Sequence, residues 1–320
     1  NPYKKFTLGF SGEVFQSNIQ TVGFTINPSL TMRNVFKGAE TLELSGFTSI
    51  GASKDAADNS DSFFDINEVG ANLRLNIPRF FFPFKADKII PKEMFPNTLI
   101  SISTSSQTNI GLDKQTFNGR FNYTWFPNKS VTNRVDLFNI QYVKNLNTSN
   151  YFNVYENSYD VLNQIAVNTN YIPTDSELSI PNQADQFLDD VTSGAFPLTG
   201  ETFSTVNSID ERKDRLTEDN LIIASNFSYT KDKRDNLFDN DFSIFRFKVE
   251  AAGNLISLLA NSAGLNSNSE NNYEILNVAY SQYVKTEFDY VKYWDLGEKN
   301  VFAIRSFLGI AVPFGNASSI

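Results

Sequence analysis

The 320-residue chain contains no cysteine and no histidine. Without cysteine it has no disulfides, thiolate nucleophiles, iron–sulfur clusters or thiolate zinc sites. Without histidine it lacks the commonest general base and the commonest transition-metal ligand, so Ser-His-Asp and Cys-His machinery is excluded. It has no run of eighteen apolar residues, and therefore no segment that crosses a bilayer as a helix. A basic surplus is missing as well. The 27 Lys and Arg stand against 36 Asp and Glu, a net charge of −9, which argues against a nucleic-acid partner. Aromatics, by contrast, are abundant: 30 Phe and 13 Tyr, in a chain whose mean hydropathy is −0.29. A polar average with many aromatics points to alternation, one strand face wet and the other apolar.

The charge is not spread evenly. Residues 144–219 hold thirteen acidic side chains and four basic ones, which accounts for the whole net charge of −9. Seventy-six residues are far too many for an ordinary connection, so the segment is expected to be a structured excursion or a partner-binding loop. Within it, Val154, Tyr155, Tyr159, Leu162 and Ile165 recur at helical spacing and predict a helix over 151–167. No stretch has the spacing of a calcium-binding EF-hand, and the acids read as a solvated surface with no metal.

Elsewhere the period is two. Phe245, Phe247, Val249 and Ala251 alternate with Arg246, Lys248 and Glu250. Val284, Thr286, Phe288 and Tyr290 alternate with Lys285, Glu287 and Asp289. Val69, Ala71, Leu73, Leu75 and Ile77 do the same, as do Phe6, Leu8, Phe10 and Val14 near the start. A soluble sandwich also alternates. These segments, however, run to about ten residues or more, the length that crosses a bilayer at a tilt of about 45°. The expectation is that the apolar set faces lipid, and that Arg246, Lys248, Glu250, Lys285, Glu287, Asp289 and Arg305 face a lumen. Aromatics near segment ends, such as Tyr3, Phe15, Trp125, Tyr229, Tyr293 and Trp294, resemble interfacial girdles.

Eleven such segments are predicted, at 3–15, 20–33, 40–52, 65–80, 97–109, 116–127, 134–144, 220–231, 242–258, 273–295 and 300–313. The fold class expected is all-β: an antiparallel up-and-down transmembrane barrel, with 144–219 inserted between strands seven and eight. The connections at 16–19, 53–64, 110–115, 144–219 and 259–272 fit extracellular loops. Those at 34–39, 81–96, 127–133, 231–241 and 295–298 fit periplasmic turns. Eleven is odd, and bacterial barrels usually have an even number of strands. The chain begins at Asn1 rather than Met and reaches Ile320 at the opening of a loop, so further strands are expected outside it.

Ordered stretches carry a family resemblance: RNVFKGAETLEL (33–44), IPRFFFPF (77–84), FNYTWFPN (121–128), FNIQYVKNLN (138–147), YSQYVKTEFDYVKYWDL (280–296) and AIRSFLGIAVPFGNASSI (303–320). Together they resemble the BamA/TamA family of outer-membrane assembly barrels, in the form found in the Bacteroidota. The resemblance implies a sixteen-stranded barrel preceded by periplasmic POTRA repeats. It implies a sixth extracellular loop bearing an Arg-Gly-type motif, to which PFGNASSI is similar as an entry. The implied place is the bacterial outer membrane. The implied activity is folding and insertion of other β-barrel or surface-exported proteins, with client proteins, outer-membrane lipid and accessory subunits of an assembly complex as partners. By this analogy strand one is a lateral edge that templates clients: Phe6, Leu8, Gly9, Phe10, Gly12 and Val14. Glycines weaken and bend a strand, which suits a seam that opens, although they also serve barrel curvature.

Two other readings stay open at this point. One is a passive porin or a TonB-dependent transporter, the latter with a plug domain and more strands. The other is a secreted glycan-binding sandwich. An enzyme is not expected. Glu287 and Asp289 form a carboxylate pair of the kind glycosidases use, but beside Lys285 and Arg246 they read as a structural charge network. No cofactor is called for.

Overall fold

The computed structural model describes residues 4–16, 20–53, 66–82, 89–109, 113–253, 274–275 and 278–315. Eleven long strands make one antiparallel sheet: β1 (Phe6–Phe15), β2 (Gln20–Arg33), β3 (Thr41–Ser53), β4 (Ile66–Ile77), β5 (Asn97–Asn109), β6 (Lys114–Asn128), β7 (Val131–Asn145), β8 (Asn220–Asp232), β9 (Ser243–Ala252), β12 (Tyr283–Gly297) and β13 (Asn300–Pro313). Two short strands, β10 (Glu274–Ile275) and β11 (Val278–Ala279), pair with each other. Each long strand lies beside the next in the chain, with β9 beside β12. The sheet is an open meander. Among the described residues β1 and β13 are its edges and do not pair with one another.

The strands stop for local reasons. Pro78 cannot continue the β4 ladder beyond Ile77. Gly253, at φ 74°, turns the chain out of β9 while its N–H donates to the Ile223 carbonyl at 2.9 Å. Between β12 and β13, Glu298 and Lys299 both have positive φ, 51° and 65°, the twist a two-residue hairpin turn needs. Between β6 and β7 only Lys129 and Ser130 intervene, so the connection expected at 127–133 is mostly strand. The strand expected over 273–295 divides. Residues 274–275 and 278–279 form the β10–β11 pair, Tyr280 bridges to Leu221, and the β12 ladder begins at Tyr283. The connections expected at 16–19, 53–64, 81–96, 110–115 and 259–272 lie wholly or partly outside the described residues. So do the ninth-strand stretch 254–258, Tyr3 and residues 316–320.

Register organises the two faces. Leu8 pairs with Leu30, Leu30 with Leu44, Leu44 with Leu73, and Leu73 with Ile102. One residue along, Thr7 pairs with Thr31, Thr31 with Glu43, Glu43 with Arg74, Arg74 with Ser101, and Ser101 with Arg120. Because a strand's side chains alternate between faces, the first row is an apolar stripe on one face and the second a polar stripe on the other.

Between β7 and β8 the chain leaves the sheet and folds into α1 (Tyr151–Val154), α2 (Glu156–Asn168), α3 (Asn182–Thr192) and α4 (Gly200–Thr217). The helix expected over 151–167 is thus broken at Tyr155, and two further helices follow. In α3, Ala184, Phe187, Leu188 and Val191 recur at i, i+3, i+4 and i+7, and all four are buried. They pack with Tyr151, Phe152, Leu162, Ala166, Val206 and Ile209 in a core of the helices' own. The neck is tied by Asn145, whose N–H donates to Asp219 at 2.8 Å and whose side-chain amide donates to the Glu218 carbonyl at 2.7 Å.

Candidate functional site

From β6 to β12 the sheet is inverted relative to a water-soluble protein: its buried acids and amides lie on the polar face, while the edge strands β1 and β13 are exposed on both faces. Asp289 is 8% exposed, while Phe288 beside it on the opposite face is 42% exposed. Asp136 is 5% exposed and nearby Phe138 is 45% exposed. Exposed apolar side chains run across the whole outer face, from Leu8 and Phe24 through Leu44, Val69 and Ile102 to Ile304 and Leu308. An apolar surface of that extent marks contact with something other than water.

The predicted charges meet on the polar face, where the acids Glu250 and Asp289 are buried and the cations reach in from more exposed positions. Register sets Lys285 opposite Glu250, Glu287 opposite Lys248, and Asp289 opposite Arg246. Arg246 donates to Asp289 at 2.8 Å, and Arg305 reaches the same carboxylate from β13 with its Nε at 2.8 Å and Nη2 at 3.3 Å. Lys248 pairs with Glu250 at 2.7 Å and Lys285 with Glu287 at 2.6 Å. The Tyr283 hydroxyl completes the set by donating to Glu250 at 2.8 Å. Phe247, Val249, Phe288 and Tyr290 occupy the opposite face, where the Phe247 and Phe288 rings lie 4.9 Å apart.

A second polar cluster escaped the sequence reading. Asp136 accepts from the Asn122 amide at 2.7 Å and the Asn226 amide at 2.9 Å, with Arg134 at 3.6 Å. It lines one hollow with Arg120, Gln141, Lys248 and Glu250. The reason it was missed is a register shift in β7 between Asp136 and Asn139. The shift moves the polar phase from even to odd positions, and Ser225 donates into it at the Leu137 carbonyl, 2.6 Å away.

The predicted lateral edge is β1. All ten of its residues pair with β2 in one unbroken register, and no described strand pairs with its other side. Phe6, Leu8, Phe10, Gly12 and Val14 lie on the apolar face, and Gly9 lies on the polar one opposite Ser29. A Cβ at Gly12 would meet nothing closer than the Thr25 carbonyl at 3.9 Å, so close packing does not demand glycine there. Behind this strand, Pro28 has no N–H to donate, and β2–β3 pairing lapses at Asn27 and Pro28 while the register is kept from Ile26 to Ser29.

At the strand ends opposite the helices, the β2–β3 turn closes around a buried carboxylate. Glu40 is fully buried. It accepts from the Phe36 and Gly38 N–H groups at 3.3 and 2.8 Å and pairs with Arg79 at 2.8 Å. A side chain at Gly38 would collide with both Glu40 and Arg79. Burial pushes this carboxyl up, but the N–H groups of Glu40, Gly38 and Phe36, with the Arg79 guanidinium, outweigh it and hold the group below its ordinary value. Arg79 leads into a strap that crosses the outer face. The Phe80 ring stacks on Tyr123 with centroids 4.2 Å apart, and the Tyr123 hydroxyl donates to the Phe81 carbonyl at 2.7 Å. Among the described residues no group of three or more acidic side chains is arranged to hold a metal ion, and no helix is long and apolar enough to cross a membrane.

No protein-family model and no curated protein matches this chain. Among solved structures it is similar to one described as BamA from Haemophilus ducreyi lacking POTRA domains 1–3, at 12% identity and a TM-score of 0.47. The match covers 98% of this chain and 42% of that one, so the chain spans under half the length of its structural neighbour. The fold stands on the eleven-stranded meander itself rather than on this likeness.

Proposed function

We propose that the chain is part of a transmembrane β-barrel of the bacterial outer membrane that folds and inserts other β-barrel or surface-exported proteins. The inverted sheet carries this reading. In water its exposed leucine and phenylalanine rows carry an unopposed hydrophobic cost. In lipid they are in their own solvent, and the polar face lines a wet interior. Backbone groups in a bilayer must be paired, so the edges at β1 and β13 are completed in the membrane by further strands.

The assembly role adds the β1 edge to the membrane reading. A strand edge with free N–H and C=O groups templates an incoming strand. Gly9 and Gly12 weaken and bend the edge strand, and the lapse at Pro28 loosens the β2–β3 pairing behind it. The sequence resemblance supplies the client class and the accessory subunits of an assembly complex. Exchange of strand–strand hydrogen bonds makes and breaks no covalent bond, so the protein is no enzyme in this reading and needs no cofactor. The helices of 144–219 lie on the extracellular side, covering the barrel mouth or docking a partner.

The test uses the full-length protein in liposomes with an unfolded client barrel. A photocrosslinking residue at Leu8 or Phe10 captures the client, while one at Ile223 in the middle of the sheet does not. Equal capture at both places removes the β1 edge mechanism. Ion conductance without any client assembly moves the reading to a passive porin.

A further inference from the structure

On the apolar face, at the strand ends opposite the helices, six side chains meet in one hollow: Tyr229, Lys231, Lys233, Ser243, Phe245 and Tyr290. Register explains the convergence. Lys231 pairs with Phe245 and Phe245 with Tyr290, so three strands present these side chains at one level. Lys233 continues the line, its N–H donating to the Ser243 carbonyl at 3.0 Å. Towards the middle of the sheet the surface is apolar, with Phe247 and Phe288 in contact. Towards the strand ends, the Trp294 ring stacks on Phe302 at 5.6 Å and carries the Lys292 ammonium at 5.7 Å, as an interfacial aromatic does.

Two ammonium groups on an otherwise apolar face need an explanation. The neighbouring cations are neutralised: Lys292 by Asp241, and Arg234 by Asp232. Among the described residues neither Lys231 nor Lys233 has a carboxylate partner. A cation at the edge of hydrocarbon either reaches into the headgroup layer or finds an anion there. The hollow offers two ammonium donors, a serine hydroxyl and two phenol hydroxyls around a space continuous with an aromatic, acyl-compatible surface.

We propose that this hollow binds the phosphate of an anionic phospholipid in the leaflet farther from the helices, with the acyl chains lying along Phe247 and Phe288. The inference rests on the membrane reading above. It adds a ligand site that fixes the depth of the β8–β9–β12 wall. Two lysines favour a lipid with net negative charge over a zwitterionic one, each contributing about fivefold at an anionic surface.

The experiment uses the full-length protein in detergent. Native mass spectrometry follows retention of phosphatidylglycerol against phosphatidylcholine of the same acyl chains, with inorganic phosphate as competitor. Wild type retains phosphatidylglycerol selectively. K231A/K233A and K231Q/K233Q lose roughly tenfold to thirtyfold in retention, K231R/K233R keeps it, and K144A, at the helix-side end of neighbouring β7, is unchanged. Inorganic phosphate at millimolar concentration fails to displace the lipid. The proposal is overturned by equal retention in wild type and K231A/K233A, by the same loss in K144A, or by displacement with inorganic phosphate. Flotation of the wild-type protein with vesicles separates the two levels. Protein that floats without lipid selectivity sinks the site alone, and protein that does not float sinks the membrane reading with it.

Discussion

The helices between β7 and β8 and the sheet that carries them solve opposite solvation problems with the same amino acids. Phe187 is fully buried against Tyr171, with ring centroids 4.6 Å apart, in a core closed on all sides. Phe288 is an equally large apolar side chain, yet it stands on the outer face of β12. Glu156, Asp160, Asp189 and Asp214 of the helices are exposed, whereas Asp136, Glu250 and Asp289 of the sheet are buried and hydrogen-bonded. Burial therefore does not distinguish apolar from polar in this molecule. The solvent on each side does, and the two regions are built for different ones.

The sharpest way to test that contrast is to damage one region and read the other. Phe187→Ala removes a ring from a core with no lipid to fill the gap, an expected loss of about 3–5 kcal/mol. The helices should melt in a thermal scan while the sheet stays resistant to heat and detergent on a gel. Simultaneous loss of both would mean that they fold as one unit. The converse substitution is Leu73→Arg, in the middle of the leucine row. A cation at mid-bilayer costs about 2–4 kcal/mol, so urea titration in lipid should show that loss with the helical signal unmoved. A neutral outcome would put water, not lipid, on that face.

A smaller effect is expected on the polar face. Asp136→Ala leaves the Asn226 amide without its acceptor and the Asn122 amide with only the Val135 carbonyl at 3.3 Å, at a cost of about 1–3 kcal/mol. Asp136→Asn should recover part of it by keeping one acceptor oxygen. If Asp136→Ala costs nothing, the hollow is wet enough for water to replace the carboxylate.

How much of this was legible beforehand follows the same division. Period-two segments marked the strands because one face of the sheet is apolar, and the β9–β12 pairing keeps one register from Tyr283 to Lys292, although at its turn-side end Ile244, Val291 and Tyr293 bring an apolar cluster onto the polar face. The β7 cluster was hidden by a single bulge that reverses the phase at Leu137. Helices α3 and α4 were hidden differently. Their apolar residues are few and set among Asp185, Asp189, Asp190, Asp210 and Asp214, so composition spoke louder than spacing. The lock at Glu40 joins residues 39 apart, which no local pattern reveals. The lysine hollow likewise needs three strands in register before Lys231, Lys233 and Tyr290 become neighbours.

The smallest expected effect separates the two regions by pH. Glu40 in the β2–β3 turn and Asp210 in α4 are shifted in opposite directions. Burial, with Asp214, Asp189 and Asp185 nearby, raises Asp210, and Lys213 only partly offsets it. Glu40 is lowered because its N–H donors and Arg79 outweigh its burial. For a carboxyl with a raised folded value, the folded helices bind the proton more tightly than the unfolded chain. Their stability is then greatest below the ordinary aspartate value, about 3.9, and declines as pH rises through the folded one. For a lowered carboxyl the sign reverses: the turn keeps its stabilisation above the ordinary glutamate value and loses it as pH falls through the folded one. Mild acidification should therefore tighten the helices before it loosens the turn. Asp210→Asn should remove this group's share of the helical pH dependence and raise stability at neutral pH. Glu40→Gln should expose the Gly38 N–H to hydrogen exchange already at neutral pH, because an amide facing Arg79 cannot replace the carboxylate. If acid loosens the helices first, the repulsion around Asp210 is already relieved by water, and the two regions differ less in their electrostatics than in their solvents.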